Sequence, residues 1–110
     1  MAMTLAEDCY RLTASFPREE AYGMTSQIRR AAVSIPANIA EDFGRDQTGY
    51  FVQFLRVLMG SARELETHLL LSERLKLTTS DSVAPLLDRC TRVSKMLRSL
   101  IRSLETRKEN

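Results

Sequence analysis

One histidine, two cysteines, four glycines and no tryptophan occur in 110 residues, and each scarcity removes a class of function. A metal site in a helical core usually needs paired Glu-x-x-His motifs. His68 is the sole histidine, so such a site cannot form within one subunit. Cys9 and Cys90 stand far apart and belong to no CxxC or CxxH pattern. Both sit at helical core spacings, which predicts buried, reduced thiols in a reducing compartment. None of the glycines builds a phosphate-cradling loop. Aromatic residues make up only 6% of the chain, too few for a platform on which bases stack. No apolar run approaches membrane-spanning length, because Leu69-Leu70-Leu71 gives way to Ser72-Glu73-Arg74. Glu7 and Asp8 near the start oppose a secretory signal. The expectation is a cytoplasmic protein with no cofactor, no membrane contact and no catalytic site.

What is present is helix. The chain is 44% hydrophobic and 27% charged, the balance of a globular domain, and its apolar set is dominated by Leu, Ile, Val, Ala and Met rather than by aromatic strand formers. The apolar period is near 3.6 throughout. A first segment, about Thr4 to Ser15, carries Leu5, Cys9, Leu12 and Phe16 on one stripe. Thr4 and Glu7 fit a capping box, and Pro17 ends the helix. A second, about Met24 to Phe43, carries Met24, Ile28, Ala31, Ala32, Ile35, Ile39 and Phe43. Pro36 interrupts its backbone bonding, yet the stripe stays in phase on both sides, so the helix is predicted to continue with a kink. A third, about Thr48 to Leu75, is lined by Phe51, Phe54, Leu55, Leu58, Ala62, Leu65 and Leu69. A fourth, about Ser80 to Arg107, is lined by Val83, Leu86, Cys90, Val93, Leu97, Leu100, Ile101 and Leu104. The links are short, so neighbours run antiparallel. The predicted fold is all-α: a single domain over 1–110, an up-and-down antiparallel four-helix bundle with helix two kinked at Pro36.

The surface carries two signals. Net charge is only +2, but 13 of the 16 basic residues are arginine, the cation suited to phosphate and carboxylate. Helix four offers Arg89, Arg92, Lys95, Arg98 and Arg102 with no acidic residue between Arg89 and Leu104, on the half of the helix opposite its apolar stripe. Arg56, Arg63 and Arg74 line up similarly on helix three. A charge run on an amphipathic helix is commonly its solvated face; a run of one sign also suits an anionic partner such as a phosphate backbone. The second signal is apolar: Val33 and Ala40 on helix two, and Val52, Met59 and Leu70 on one flank of helix three, lie off the core stripes and read as a subunit interface. Gly60 costs a mid-helix position about 1 kcal/mol, which suggests close backbone approach there. Glu64 and His68, four apart, form either a polar surface pair or half of a metal site shared between subunits.

The run RRAAVSIPANIAEDFGR from Arg29 to Arg45, with FPREEAYGMTSQI before it and FVQFLRVLMGSARELETHLLLSERL after it, closely resembles the four-helix bundle family of 23S rRNA-intervening-sequence proteins. The resemblance is strong from about Tyr10 to Leu75 and rests on amphipathicity alone in the fourth helix. The sequence departs from the family's usual Ser-Asn and Glu-Gly with Ala37-Asn38 and Glu41-Asp42, and Tyr50 replaces an acidic residue. The resemblance implies a ring, typically a homopentamer. It also implies kinship with the accessory variability proteins of diversity-generating retroelements, which bind nucleic acid and a reverse transcriptase. The signature positions carried over are Arg29, Arg30, Ser34, Pro36, Asn38, Glu41, Arg45, Gly60, Ser61, Glu64 and Glu66. Asn38 is placed to satisfy a carbonyl freed by Pro36, and Glu41 to pair with Arg45; contact with a ligand or nucleic acid is the other reading of these polar residues.

The functional expectation is a non-enzymatic, oligomeric accessory protein, a homopentameric ring that binds nucleic acid, RNA or DNA, through Arg89, Arg92, Lys95, Arg98, Arg102, Arg56 and Arg63. The alternative is a scaffold that docks a protein partner and binds no nucleic acid.

Overall fold

The computed structural model describes residues 2–42 and 48–109, with side chains over 3–37 and 52–106. Four helices account for nearly all of it: α1 (Ala2–Thr13), α2 (Met24–Asp42), α3 (Thr48–Arg74) and α4 (Ser80–Glu109). Each helix packs on its neighbour in sequence, and a smaller contact between α1 and α4 closes the bundle. The elongated shape, 51 × 23 × 18 Å, follows from helix length. At 1.5 Å per residue, the thirty residues of α4 span about 45 Å, whereas the twelve of α1 span about 18 Å.

The helix ends explain themselves chemically. α1 begins at Ala2, so Thr4 lies inside the first turn instead of capping it; Ala and Met are strong helix formers, and they carry the helix past the expected boundary. At the other end the Thr13 hydroxyl donates to the Cys9 carbonyl at 2.8 Å, and the Ser15 hydroxyl donates to the Leu12 carbonyl at 2.9 Å. The first is a back-bond onto the preceding turn; the second falls on one of the last carbonyls, which the ending helix leaves without an i→i+4 amide. After Pro17 a short 3₁₀ turn, Arg18–Glu20, leads into α2. The first amide of α2, Met24 N–H, donates to the Glu20 carboxylate at 3.1 Å. α2 then runs through Pro36 without a break.

α3 ends with Lys76 at φ 63°. Leu77 N–H donates to the Ser72 carbonyl at 2.9 Å and Lys76 N–H to the Glu73 carbonyl at 3.0 Å. This is a Schellman closure with lysine in the left-handed position that glycine usually fills. Leu77 turns back against the core, the apolar contact that commonly accompanies such a closure. Thr79 caps α4: its hydroxyl oxygen accepts from Ser82 N–H at 3.2 Å.

The core is the union of the four stripes. Leu5, Ala6 and Cys9 from α1 and Phe16 from the turn after it meet Ile28, Ala31, Ala32 and Ile35 from α2, Leu55, Leu58, Ala62, Leu65 and Leu69 from α3, and Val83, Leu86, Cys90, Val93, Leu97 and Ile101 from α4. Each large side chain so buried contributes roughly 1.5–3 kcal/mol. Leu12, Met24, Phe54 and Leu104 are only partly covered, and Leu100 lies exposed at 40%. Leu100 belongs to the flank of α4 that looks toward α1, which is too short to cover the whole length of α4.

Both thiols lie fully buried in this core. Burial pushes the Cys9 thiol up to about 12, with Cys90 adding to the effect. Burial does the same to Cys90, also to about 12, with the Glu66 carboxylate adding to it.

Candidate nucleic-acid interface

The seven cations that the sequence nominates do not form one surface. A groove between α3 and α4, about 470 Å³ in volume, is lined by Arg63, Glu66 and Thr67 on one side and Thr91, Ser94, Lys95 and Arg98 on the other. Spacing explains the convergence: Thr91, Ser94, Lys95 and Arg98 recur at three and four along α4, and Arg63, Glu66 and Thr67 do so along the facing flank of α3. Arg102 follows one turn beyond Arg98 and is likewise exposed. Three cations and one carboxylate give the groove itself a net positive lining. Arg63, Lys95, Arg98 and Arg102 make no salt bridge among the described residues, so their charge faces solvent.

The other three cations are engaged. Arg56 of α3 pairs with Glu105 of α4, on the same face but across the helices. Arg92 pairs with Asp88 one turn earlier at 3.1 Å. Arg89 stands apart: it reaches across to Asp8 of α1, with only 34% of its side chain exposed. Asp8 also accepts from Arg11 at 3.0 Å. Arg89 therefore clasps α1 to α4 and points away from the groove. At 100° per residue it falls on the same flank as Met96 and Leu100, a quarter-turn or more from Lys95 and Arg98, which is why a one-face reading of helix four merged two surfaces.

The signature residues divide in the same way. Arg29 is built into the fold. Its Nε donates to the Thr13 hydroxyl oxygen at 2.8 Å, and its guanidinium lies 4.6 Å from the centroid of the Tyr10 ring. Thr13 passes the chain of bonds on to the Cys9 carbonyl, so one arginine ties α2 to the last turns of α1. Arg29→Ala is expected to cost about 1–3 kcal/mol, the range for a charge-assisted hydrogen bond plus a cation–π contact. Urea unfolding checks this, and an unchanged midpoint would show that the latch contributes nothing. Arg30 and Ser34 line a shallow hollow beside Tyr10 and Val33, and the Ser34 hydroxyl donates to the Ala31 carbonyl at 2.8 Å. Glu64 and His68 approach to 3.5 Å on the surface of α3. The side chains of Asn38, Glu41, Ile39, Ala40, Tyr50 and Phe51, and residues Phe43, Gly44 and Arg45 altogether, lie outside the described residues. Among the described residues no group of three metal-ligating side chains gathers, and no helix is long and apolar enough to cross a membrane.

Of the apolar flank, Val33 and Leu70 are exposed at 39% and 43%, whereas Val52 and Met59 pack partly against the subunit's own core. The place a side chain would take at Gly60 has no neighbour within 4 Å among the described residues, so no close approach between them requires that glycine. The sequence reading missed the α1/α2 face. There Met3, Ala6, Tyr10, Val33 and Pro36 line an apolar hollow of about 400 Å³. The spacing of Met3, Ala6 and Tyr10 was the available signal.

The family profile of the 23S rRNA-intervening sequence proteins matches residues 1–99. The chain belongs to that family. The match takes in all of α1 and most of α4, reaching past the Tyr10 to Leu75 stretch in which the sequence signature is concentrated. No curated protein matches the chain. In this family member, the signature arginine Arg29 has a structural task, and the open cations lie elsewhere, along α3 and α4.

Proposed function

We propose that the protein is a non-enzymatic, oligomeric accessory protein that binds the sugar-phosphate backbone of nucleic acid along the α3/α4 groove. The observation that carries this reading is the gathering of Arg63, Lys95 and Arg98 around one groove, with no carboxylate paired to any of them among the described residues. Lys95, Arg98 and Arg102 spread their charge over about 10 Å of helix axis, longer than one phosphate and suited to a chain of them. The groove presents no aromatic ring, so contact falls on phosphates and sequence preference is weak. Family membership agrees with an RNA-linked role. Assembly rests on the exposed apolar residues Met3, Tyr10, Val33 and Leu70 and on the homopentameric ring that the family resemblance implies. A ring would repeat the groove around its circumference and turn a modest net charge into a multivalent surface.

Fluorescence anisotropy with short single-stranded RNA and DNA at several salt concentrations tests the binding, with light scattering on the same sample for the assembly. Affinity should fall with salt at a log–log slope of about 0.7–0.9 per neutralised phosphate, and the scattering mass should be a multiple of the 12.5 kDa chain. Absence of binding at low salt would remove the nucleic-acid reading and leave a protein-docking scaffold. A monomeric mass at micromolar concentration would remove the ring.

A further inference from the structure

The groove holds more than cations: three hydroxyls line it, and while Ser94 can donate to either polymer, those of Thr67 and Thr91 are committed in a way that bears on the ligand. The Thr67 hydroxyl donates to the Arg63 carbonyl at 3.0 Å, and the Thr91 hydroxyl donates to the Leu87 carbonyl at 3.1 Å. Each hydroxyl has one proton, so what both threonine oxygens still offer the groove is lone pairs. Glu66, between them in the lining, is also an acceptor only when ionised. A phosphate oxygen accepts and does not donate, so this row gives a phosphate nothing, and the Glu66 charge repels it. The row is matched by a hydrogen-bond donor lying a short way from a phosphate. In a nucleic-acid backbone that donor is the ribose 2′-hydroxyl, which DNA lacks.

We propose that the α3/α4 groove discriminates RNA from DNA, with Arg63, Lys95 and Arg98 holding phosphates while Glu66, Thr67 and Thr91 accept from 2′-hydroxyls. This rests on the reading that the groove binds nucleic-acid backbone. It adds the acceptor row as the element that separates the two polymers. DNA keeps the phosphate contacts and leaves the acceptors without a donor; RNA satisfies both.

The experiment compares a fluorescein-labelled 12-nucleotide single-stranded RNA with DNA of the same sequence and with its 2′-O-methyl form, which retains the oxygen but has no proton to donate. The parent protein is expected to bind RNA roughly tenfold more tightly than either, the effect of one or two well-made hydrogen bonds. In Thr67→Val/Thr91→Val, RNA affinity should drop toward that of DNA while DNA affinity stays put. Thr67→Ser/Thr91→Ser should retain the preference. Both threonines are exposed, so these variants are expected to keep the fold, as circular dichroism will show. Uridine monophosphate, which offers the same phosphate and ribose chemistry singly, should not displace the RNA at equimolar concentration; if it does, the site takes free nucleotides and the polymer assignment is overturned. Equal affinity for RNA and DNA, or a preference unmoved in the valine variant, overturns the discrimination while leaving backbone binding intact. Failure of all three polymers to bind overturns the groove reading itself.

Discussion

Arg63→Glu/Arg98→Glu is expected to lower affinity for a short single-stranded RNA by on the order of 100-fold. Each reversed residue removes a charge-assisted contact with phosphate, and a tenfold loss per contact corresponds to about 1.4 kcal/mol. Reversal also places new negative charge beside Glu66 in the same lining. Stability should change little, within about 0.5 kcal/mol, because both positions are exposed and neither is ion-paired in the described structure. Arg56→Glu/Arg92→Glu changes net charge by the same amount but starts from cations held by Glu105 and Asp88. It is therefore expected to weaken binding several-fold less. Anisotropy titrations of both variants at one salt concentration decide the matter. Equal losses would mean that the RNA feels only the overall charge, and no loss in the first variant would place the contact outside the groove.

Raising the pH above 9 is expected to destabilise the fold steeply. Cys9 and Cys90 each have an ordinary value of 9.0, and in the folded chain each is pushed up to about 12, first by burial. Between those values the unfolded chain has lost its thiol protons and the folded chain has kept them. The unfolded state thus binds fewer protons, and stability falls as pH rises. The contribution is fully present below pH 9 and is lost progressively toward pH 12. Each thiol supplies a slope of up to about 1.4 kcal/mol per pH unit, so the two together give nearly 3. Urea midpoints at pH 8, 9.5 and 10.5 would show the trend. Cys9→Ala/Cys90→Ala is less stable at pH 8 because of the cavities it leaves, but its alkaline slope should be much shallower. An equal slope in that variant would show that the alkaline loss does not come from the two thiols.

Much of the fold was legible because the apolar period survives every local irregularity. The stripe Ile28, Ala31, Ala32, Ile35 identified α2 despite Pro36, and the structure keeps the helix through that residue. Ends were harder to read. Nothing in the sequence marks Lys76 as a left-handed residue, because the usual glycine is missing, and the cap on α2 comes from Glu20, four residues before the helix begins. The site was legible by residue type more than by place. A helical wheel puts Arg89 and Lys95 on one polar half, but the wheel does not know that α1 presents Asp8 to one of them or that α3 brings Arg63 to the other. The acceptor row of Glu66, Thr67 and Thr91 lies on two helices, and its meaning depends on hydroxyl directions that no spacing reveals.

The shortness of α1 governs how the molecule opens. The α2–α3 and α3–α4 contacts join helices adjacent in sequence, so closing either hairpin costs little loop entropy. The α1–α4 contact joins the two ends of the chain and is the smallest of the four, held by Arg89 and Asp8. It is the natural place for the structure to come apart without unfolding elsewhere. In native-state hydrogen exchange the amides of α1 should therefore exchange as a group, ahead of those in the middle of α3 and α4. Exchange at the same rate throughout would show a single cooperative unit. Release of α1 would uncover Cys9, Cys90 and the core layer between them, while the α3/α4 groove, which takes no residue from α1, would persist in the opened form.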